Sequence, residues 1–202
     1  MLDSDPLTKY RDKRDFTESP EPEGELSEGS SDPIFIIQKH AARNLHYDLR
    51  IESGGVLKSW AVPKGPSMDP KIRRLAVPTE DHPISYAYFE GVIPPGNYGA
   101  GTVLVWDHGT YRNLKGQDIS FEDNLNDGHA TIWLEGEKLK GSFGIIRTGK
   151  GEKARWLFFK MKGAEAVPGS DIVDDEPNSV LSGRSLEEVA EQESPADLSD
   201  FS

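Results

Sequence analysis

From Leu45 to Ile51 the sequence alternates without a break. Leu45, Tyr47, Leu49 and Ile51 share one parity, and His46, Asp48 and Arg50 share the other. Successive side chains of a β-strand point to opposite faces, so this stretch predicts a strand with its apolar face on a core. The second face carries an imidazole, a carboxylate and a guanidinium at intervals of about 7 Å. An ordinary solvated face has no reason to select these three groups together. His and Asp suit a borderline divalent cation, and Arg is shaped to grip a phosphate. His40 lies six residues before His46, and a turn through 41–44 returns it to the same point. A single His on a strand is more often a surface or core residue than a ligand. Two His and an Asp at this spacing, followed in phase by Arg, shift the balance to a metal–phosphate site.

The rest of the chain reads as short strands separated by Gly-rich turns, with little helical periodicity. Residues 34–40 read as a buried strand, and 45–62 reads as a hairpin turning through Glu52-Ser53-Gly54-Gly55. Asp69 followed by Pro70 predicts the start of a short helix over 69–74. Residues 75–80 are extended, and Pro83 disfavours helical geometry at His82, which stands four residues before Tyr86. The loop 91–101 is dense in Gly and Pro but lacks the Gly-Lys-Ser/Thr ending and the following helix of a phosphate-binding loop. Further strands are expected at 102–106, 109–113, 130–135, 139–146 and 155–161. The expected fold class is therefore mainly β, a compact antiparallel barrel with short peripheral helices. His108 and His129 sit in turn-like contexts and read as surface residues.

The flanks differ in composition. Residues 1–32, rich in Pro, Ser, Glu and Gly, read as an arm. Residues 33–163 are the barrel domain, and 164–202 form an acidic tail expected to be disordered, with one capped helical turn possible from Ser185. The net charge of −12 at first argues against a nucleic-acid partner. Its distribution reverses that inference. Residues 1–32 carry four Lys/Arg against ten Asp/Glu, 33–163 carry 18 against 14, and 164–202 carry one against 11. The middle is mildly basic and the ends hold all the acidity. The chain has no cysteine, so disulfides and thiolate ligands are excluded and any metal must take N and O donors. No apolar run has the length of a signal-peptide core or membrane span, which implies a soluble, cytoplasmic protein with no membrane partner.

The pattern His40-x5-His46-Tyr47-Asp48-x-Arg50, with Glu80-Asp-His82-Pro-x-x-Tyr86 and Phe89-Glu-Gly-x-Ile-Pro-x-Gly-x-Tyr98-Gly-Ala-Gly, resembles the 3′-phosphoesterase domain of bacterial and archaeal DNA ligase D. Lys13-Arg14-Asp15-Phe16 and Glu21-Pro22 resemble its N-terminal signature, so the likeness covers about residues 9 to 162. No ligase or polymerase motif accompanies it, as in the stand-alone form. The resemblance implies a manganese-dependent enzyme, with cobalt or zinc as alternative metals. It would remove a 3′-terminal ribonucleoside from a DNA primer-template and then the 3′-phosphate left behind, giving a 3′-hydroxyl for non-homologous end joining. It further implies that His40, His46 and Asp48 hold the metal, and that Arg50, His82 and Tyr86 contact the phosphate with support from Arg74 and Gln38. Arg14, Asp15 and Glu21 would come from the arm. A separate ligase, polymerase and Ku-type protein would be partners. Two rival readings stand beside this one. A cupin-like metal oxygenase or isomerase would need no Arg cluster. A non-catalytic module for nucleic-acid ends would bind without metal and with a steep salt dependence.

Overall fold

The computed structural model describes residues 5–116, 119–149, 151 and 154–192. The strands are β1 (Ile34–Ala41), β2 (Leu45–Ser53), β3 (Val56–Val62), β4 (Arg74–Pro78), β5 (His82–Pro83), β6 (Gly91–Ile93), β7 (Gly101–Asn113), β8 (His129–Gly136), β9 (Lys140–Thr148) and β10 (Arg155–Lys160). Eight of them close an antiparallel barrel in the order β1-β2-β3-β4-β10-β9-β8-β7, with β7 returning to β1. Closure removes the open edges that a sheet of this size would otherwise present. β5 and β6 are short additions on β3 and β7.

The hairpin expected over 45–62 is present, with Tyr47 opposite Val62 and Ser53 opposite Val56. Gly54 and Gly55 turn it with φ of +60° and +79°, a two-residue turn whose backbone requires positive φ at both positions. The apolar parity faces the barrel interior. Tyr47, Leu49 and Ile51 pack there with Phe35, Ile37, Trp60, Leu104, Trp106, Phe143 and Phe158.

The polar parity is also buried, which alternation alone does not predict. From Tyr47 to Glu52 every residue of β2 is buried. A second layer covers the outside of β1, β2 and β3. It consists of the N-terminal arm, with helix α1 (Thr8–Asp12), and a 3-10 segment, Ile84–Tyr88. Tyr10, Ile36, Leu57, Tyr86, Ala87 and Val105 form a separate apolar cluster between the layers. The arm re-enters the sheet through Glu52, whose carboxylate accepts the backbone N–H of Ser30 (2.9 Å) and Ile34 (3.0 Å).

Two expectations are corrected. Residues 69–74 make one turn rather than a helix. The Asp69 carboxylate accepts the Lys71 N–H at 2.8 Å, and the β-prone run from Arg74 is drawn into the sheet opposite β10. The tail is an ordered strap over 164–192, where disorder was expected. It contains α3 (Ile172–Asp175) and α4 (Leu186–Gln192), following α2 (Phe121–Asn126) of the barrel domain. Leu186 and Val189 join the barrel core, with Ile172 and Val173 packed against it. The Trp106 indole donates to the Glu176 carbonyl (2.6 Å), and the Val180 N–H donates to Val105 (3.0 Å). Four apolar residues anchor a segment that is otherwise acidic, too few to show in its composition. The expected turn from Ser185 is the start of α4, where Ser185 and Glu188 cap each other's N–H groups. The last ten tail positions, 193–202, lie outside the described residues. No helix among the described residues is long and apolar enough to cross a membrane.

Candidate active site and metal centre

The cleft lies on the outer face of β1, β2 and β3, beneath the arm and the loop 94–100, with a volume of about 340 Å³. His40 leaves β1 directly opposite His46 on β2, and Asp48 stands two residues further on the same face. One ligand atom from each of the three lies within 4.8 Å of the others, the one such cluster among the described residues. Asp48 Oδ2 is 3.6 Å from His40 Nδ1, and Oδ1 is 3.6 Å from His46 Nε2.

Backbone carbonyls set both imidazole tautomers. His40 Nε2–H donates to the Gly99 carbonyl (2.8 Å), and His46 Nδ1–H donates to Asn44 (3.0 Å). Each ring therefore presents its bare nitrogen to Asp48, as a metal ligand must. Gly99 has a φ of +77°, which turns its carbonyl toward His40. Gly101 allows the close approach behind it, since a Cβ there would meet the Ala41 carbonyl oxygen at 2.2 Å. Burial raises the Asp48 carboxyl, but the Arg50 charge first, and then the His40 and His46 rings beside it, outweigh this and hold the group below the ordinary carboxylate range. A bidentate-capable anion and two bare imidazole nitrogens fit a divalent cation of the manganese-to-zinc series.

Arg50 is buried beside this triad. Its Nε donates to Gln38 Oε1 (2.7 Å), Nη1 to Ser59 Oγ (3.0 Å) and Nη2 to Asp48 Oδ2 (3.2 Å). Each terminal nitrogen carries a second N–H, so the guanidinium is held in place yet can still donate into the cleft. Gln38 does not line the cleft. Its amide donates to the Tyr86 and Phe89 carbonyls at 3.1 and 3.0 Å, joining Arg50 to the covering layer.

His82 is buried and neutral. Burial first, then the charges of Arg50 and Arg14, press its pKa well below the ordinary value. Its Nδ1–H donates to the Glu80 carbonyl (2.9 Å), leaving Nε2 to accept from Arg14 Nη2 (3.2 Å). Tyr86 lines the cleft, but its hydroxyl donates to Glu21 Oε1 (2.9 Å) and its ring sits 4.9 Å from the Arg50 guanidinium. Arg14 binds two buried carboxylates, Glu21 at 2.9 Å and Glu80 at 3.1 Å, while stacking on Tyr10 at 3.9 Å. Burial raises the Glu80 carboxyl, but Lys13 and Arg14 together draw it below its ordinary value.

The structure thus brings together His40, His46, Asp48, Arg50, His82, Tyr86, Arg14 and Glu21, with Gln38 behind them. It leaves two expected site residues out. Asp15 is exposed and closes a local turn through the Thr17 N–H at 2.9 Å, because its neighbour Arg14 takes the inward position. Arg74 has the parity of the core residue Ala76 and pairs with Phe158, so it lies on the opposite face of the sheet from the cleft. Sequence reasoning also missed three members. Glu80 stood in the quoted Glu80-Asp-His82 pattern without a role, Tyr98 in the Gly-rich loop now rims the cleft, and Tyr10, which gave no local signal, packs behind it on Arg14 and His82. His108 and His129 take no part.

Comparison with known proteins places these residues in context. The family model for the DNA ligase D 3′-phosphoesterase domain matches residues 38–147. The multifunctional non-homologous end joining protein LigD of Pseudomonas aeruginosa is 47% identical over 191 residues, 92% of this chain and 22% of that protein. The LigD of Mycolicibacterium smegmatis is 46% identical over 162 residues, 79% of this chain and 21% of that protein. The multifunctional non-homologous end joining DNA repair protein LigD of Mycobacterium tuberculosis H37Rv is 44% identical over 160 residues, 79% of this chain and 20% of that protein. The chain spans about a fifth of the length of the curated relatives it matches.

Proposed function

The chain belongs to the DNA ligase D 3′-phosphoesterase domain family, and from that membership we propose that it heals DNA 3′ ends for non-homologous end joining. It acts as a metal-dependent phosphoesterase on a primer-template, removing a 3′-terminal ribonucleoside and then the remaining 3′-phosphate. A single observation carries the reading. The His40–His46–Asp48 triad and the Arg50 guanidinium face one cleft, with Asp48 accepting a hydrogen bond from Arg50. A cation held by that triad, manganese by preference and cobalt or zinc by availability, would polarise a phosphoryl oxygen and acidify a bound water.

The protein's own groups complete the task. Arg50 donates to the phosphoryl oxygens from a position fixed by Gln38 and Ser59, so little reorganisation is needed as charge develops. His82 enters as neutral imidazole. Its Nε2 can accept a proton only after Arg14 withdraws, so the arm controls its availability. The Tyr86 ring supports the Arg50 guanidinium and its hydroxyl anchors Glu21. The buried arginine makes the cupin-like alternative a poor fit. End-joining ligase, polymerase and Ku-type proteins are the partners this role implies.

The test uses a labelled primer-template ending in one ribonucleotide and a matching 3′-phosphate end, with and without manganese, beside His46→Ala. Stepwise conversion to a 3′-hydroxyl, lost with the metal or with His46, is expected. A folded, metal-loaded protein that cleaves neither end would overturn the reading.

A further inference from the structure

Beyond the cleft, the outer face of the barrel continues across β4, β10 and β9, where no layer among the described residues covers it. Thr79 and Ala61 line the cleft, and Ala61 pairs with Val77 on β4. On the same face, Leu75 pairs with Leu157 of β10, and Leu157 pairs with Ile146 of β9. Val77, Leu75, Leu157, Ile146 and Phe159 are all half-buried, whereas Ile36, Gln38, His40, Asp48 and Arg50 on the outer face of β1 and β2 are buried. A contiguous apolar strip on a strand face otherwise open to water marks an interaction surface.

The charge on this face has one sign. Arg73, just before β4, is exposed and lies with its guanidinium 4.1 Å from the Phe159 ring centroid. Arg155, at the start of β10, is exposed beyond Leu157. The strands β4, β10 and β9 contribute no Asp or Glu at all. In a chain of net charge −12 this is a segregated cationic field. A guanidinium stacked on an aromatic ring keeps its N–H edge free, the geometry that grips phosphate. From Thr79 to Arg73 the strand runs about 20 Å, or about six base-pair steps of duplex.

We propose that this face, continuous with the cleft and bearing Arg73 and Arg155, seats the double-stranded part of a DNA whose 3′ end lies in the cleft. The proposal rests on the end-healing reading. Phosphates of the duplex lie along Arg73 and Arg155, and the apolar strip receives sugar edges. The terminal nucleotide is thereby aligned with Arg50 before the metal is engaged.

The test is binding, which separates it from catalysis. A fluorescein-labelled duplex with ordinary 3′-hydroxyl ends is titrated in metal-free buffer over a salt series, followed by anisotropy. Arg73→Glu and Arg155→Glu are compared with Lys115→Glu, an equal charge reversal off this face. Thermal melting confirms that each variant is folded. The two face variants should each weaken duplex binding at least about fivefold. Each should also flatten the slope of log Kd against log salt by about 0.9 for every phosphate that the protein no longer neutralises. Affinity and slope matching those of Lys115→Glu would overturn the proposal. So would sedimentation showing that the face variants instead break a dimer, which would make this face an interface between copies of the chain. Loss of cleavage with normal duplex binding would count against the end-healing reading alone.

Discussion

The Gln38 amide joins the barrel wall to the layer above it, accepting from Arg50 and donating to two carbonyls of the covering segment. Gln38→Leu keeps most of the volume but leaves the buried Arg50 Nε–H without its acceptor and takes a donor from each carbonyl, of which Tyr86 still accepts the Phe89 N–H. A cost of about 2–3 kcal/mol is expected, read as a shift in the urea midpoint. Turnover should fall more than substrate affinity, because Arg50 loses its orientation rather than its charge. A change in affinity alone would show that Gln38 does not orient it. His82 supplies a pH signature. Its pKa is lowered in the folded protein, and unfolded it titrates near 6.5. Above that pH the neutral native ring gives its full contribution. As the pH falls below 6.5, the unfolded chain takes up a proton that the native site refuses, and stability is lost. Between pH 6.5 and 5.5 the wild type should lose about 1 kcal/mol more than His82→Gln. Parallel losses in the two proteins would mean that the native imidazole accepts the proton.

At the scale of elements, the arm is held over the cleft by one buried cation between two carboxylates. Arg14→Ala leaves Glu21 without a cation and Glu80 with Lys13 alone, and a loss of about 3 kcal/mol is expected. The arm should then lift, exposing 25–31 to rapid limited proteolysis; unchanged cleavage would show that Tyr10 packing suffices. This layer is what the sequence conceals. Strict alternation makes β2 legible, because a period of two is a local property of the backbone. It places His46, Asp48 and Arg50 on one face and, through the hairpin, predicts the barrel wall around them. Whether that face meets water or another layer depends on contacts between residues far apart, such as Arg14 with Glu80, and no local period records them. Asp15 and Arg14 are adjacent in a charged arm, so local pattern cannot say which points inward. Arg74 fails for a related reason. Its parity was legible only once β4, not a helix, was known to include it. The strap shows the same limit, since Leu186 and Val189 are two apolar residues in an acidic run and only the open barrel end gives them a partner.

For the molecule as a whole, the question is whether the metal builds the site or finds it built. The triad rides on β1 and β2, paired over seven residue positions and covered on both faces along most of that length. Both imidazoles are oriented by backbone carbonyls and Asp48 by Arg50, so no ligand needs the cation to find its place. The metal-free protein should therefore fold and melt cooperatively, unlike small domains whose structure depends on a bound ion. If the triad takes manganese as proposed, the ion binds only the native state and should add RT ln(1 + [L]/Kd), about 2.7 kcal/mol at a hundredfold excess over Kd. For a chain of this size that corresponds to a rise in Tm of roughly 5–10 °C. His46 is only half-buried and serves no core contact, so His46→Ala should melt near the metal-free wild type and lose the manganese shift. Scanning calorimetry with and without manganese, after chelation, measures both quantities without any assay of activity. A wild-type chain that unfolds on chelation would mean that the metal organises the barrel wall. An equal manganese shift in His46→Ala would place the bound ion elsewhere on the acidic surface.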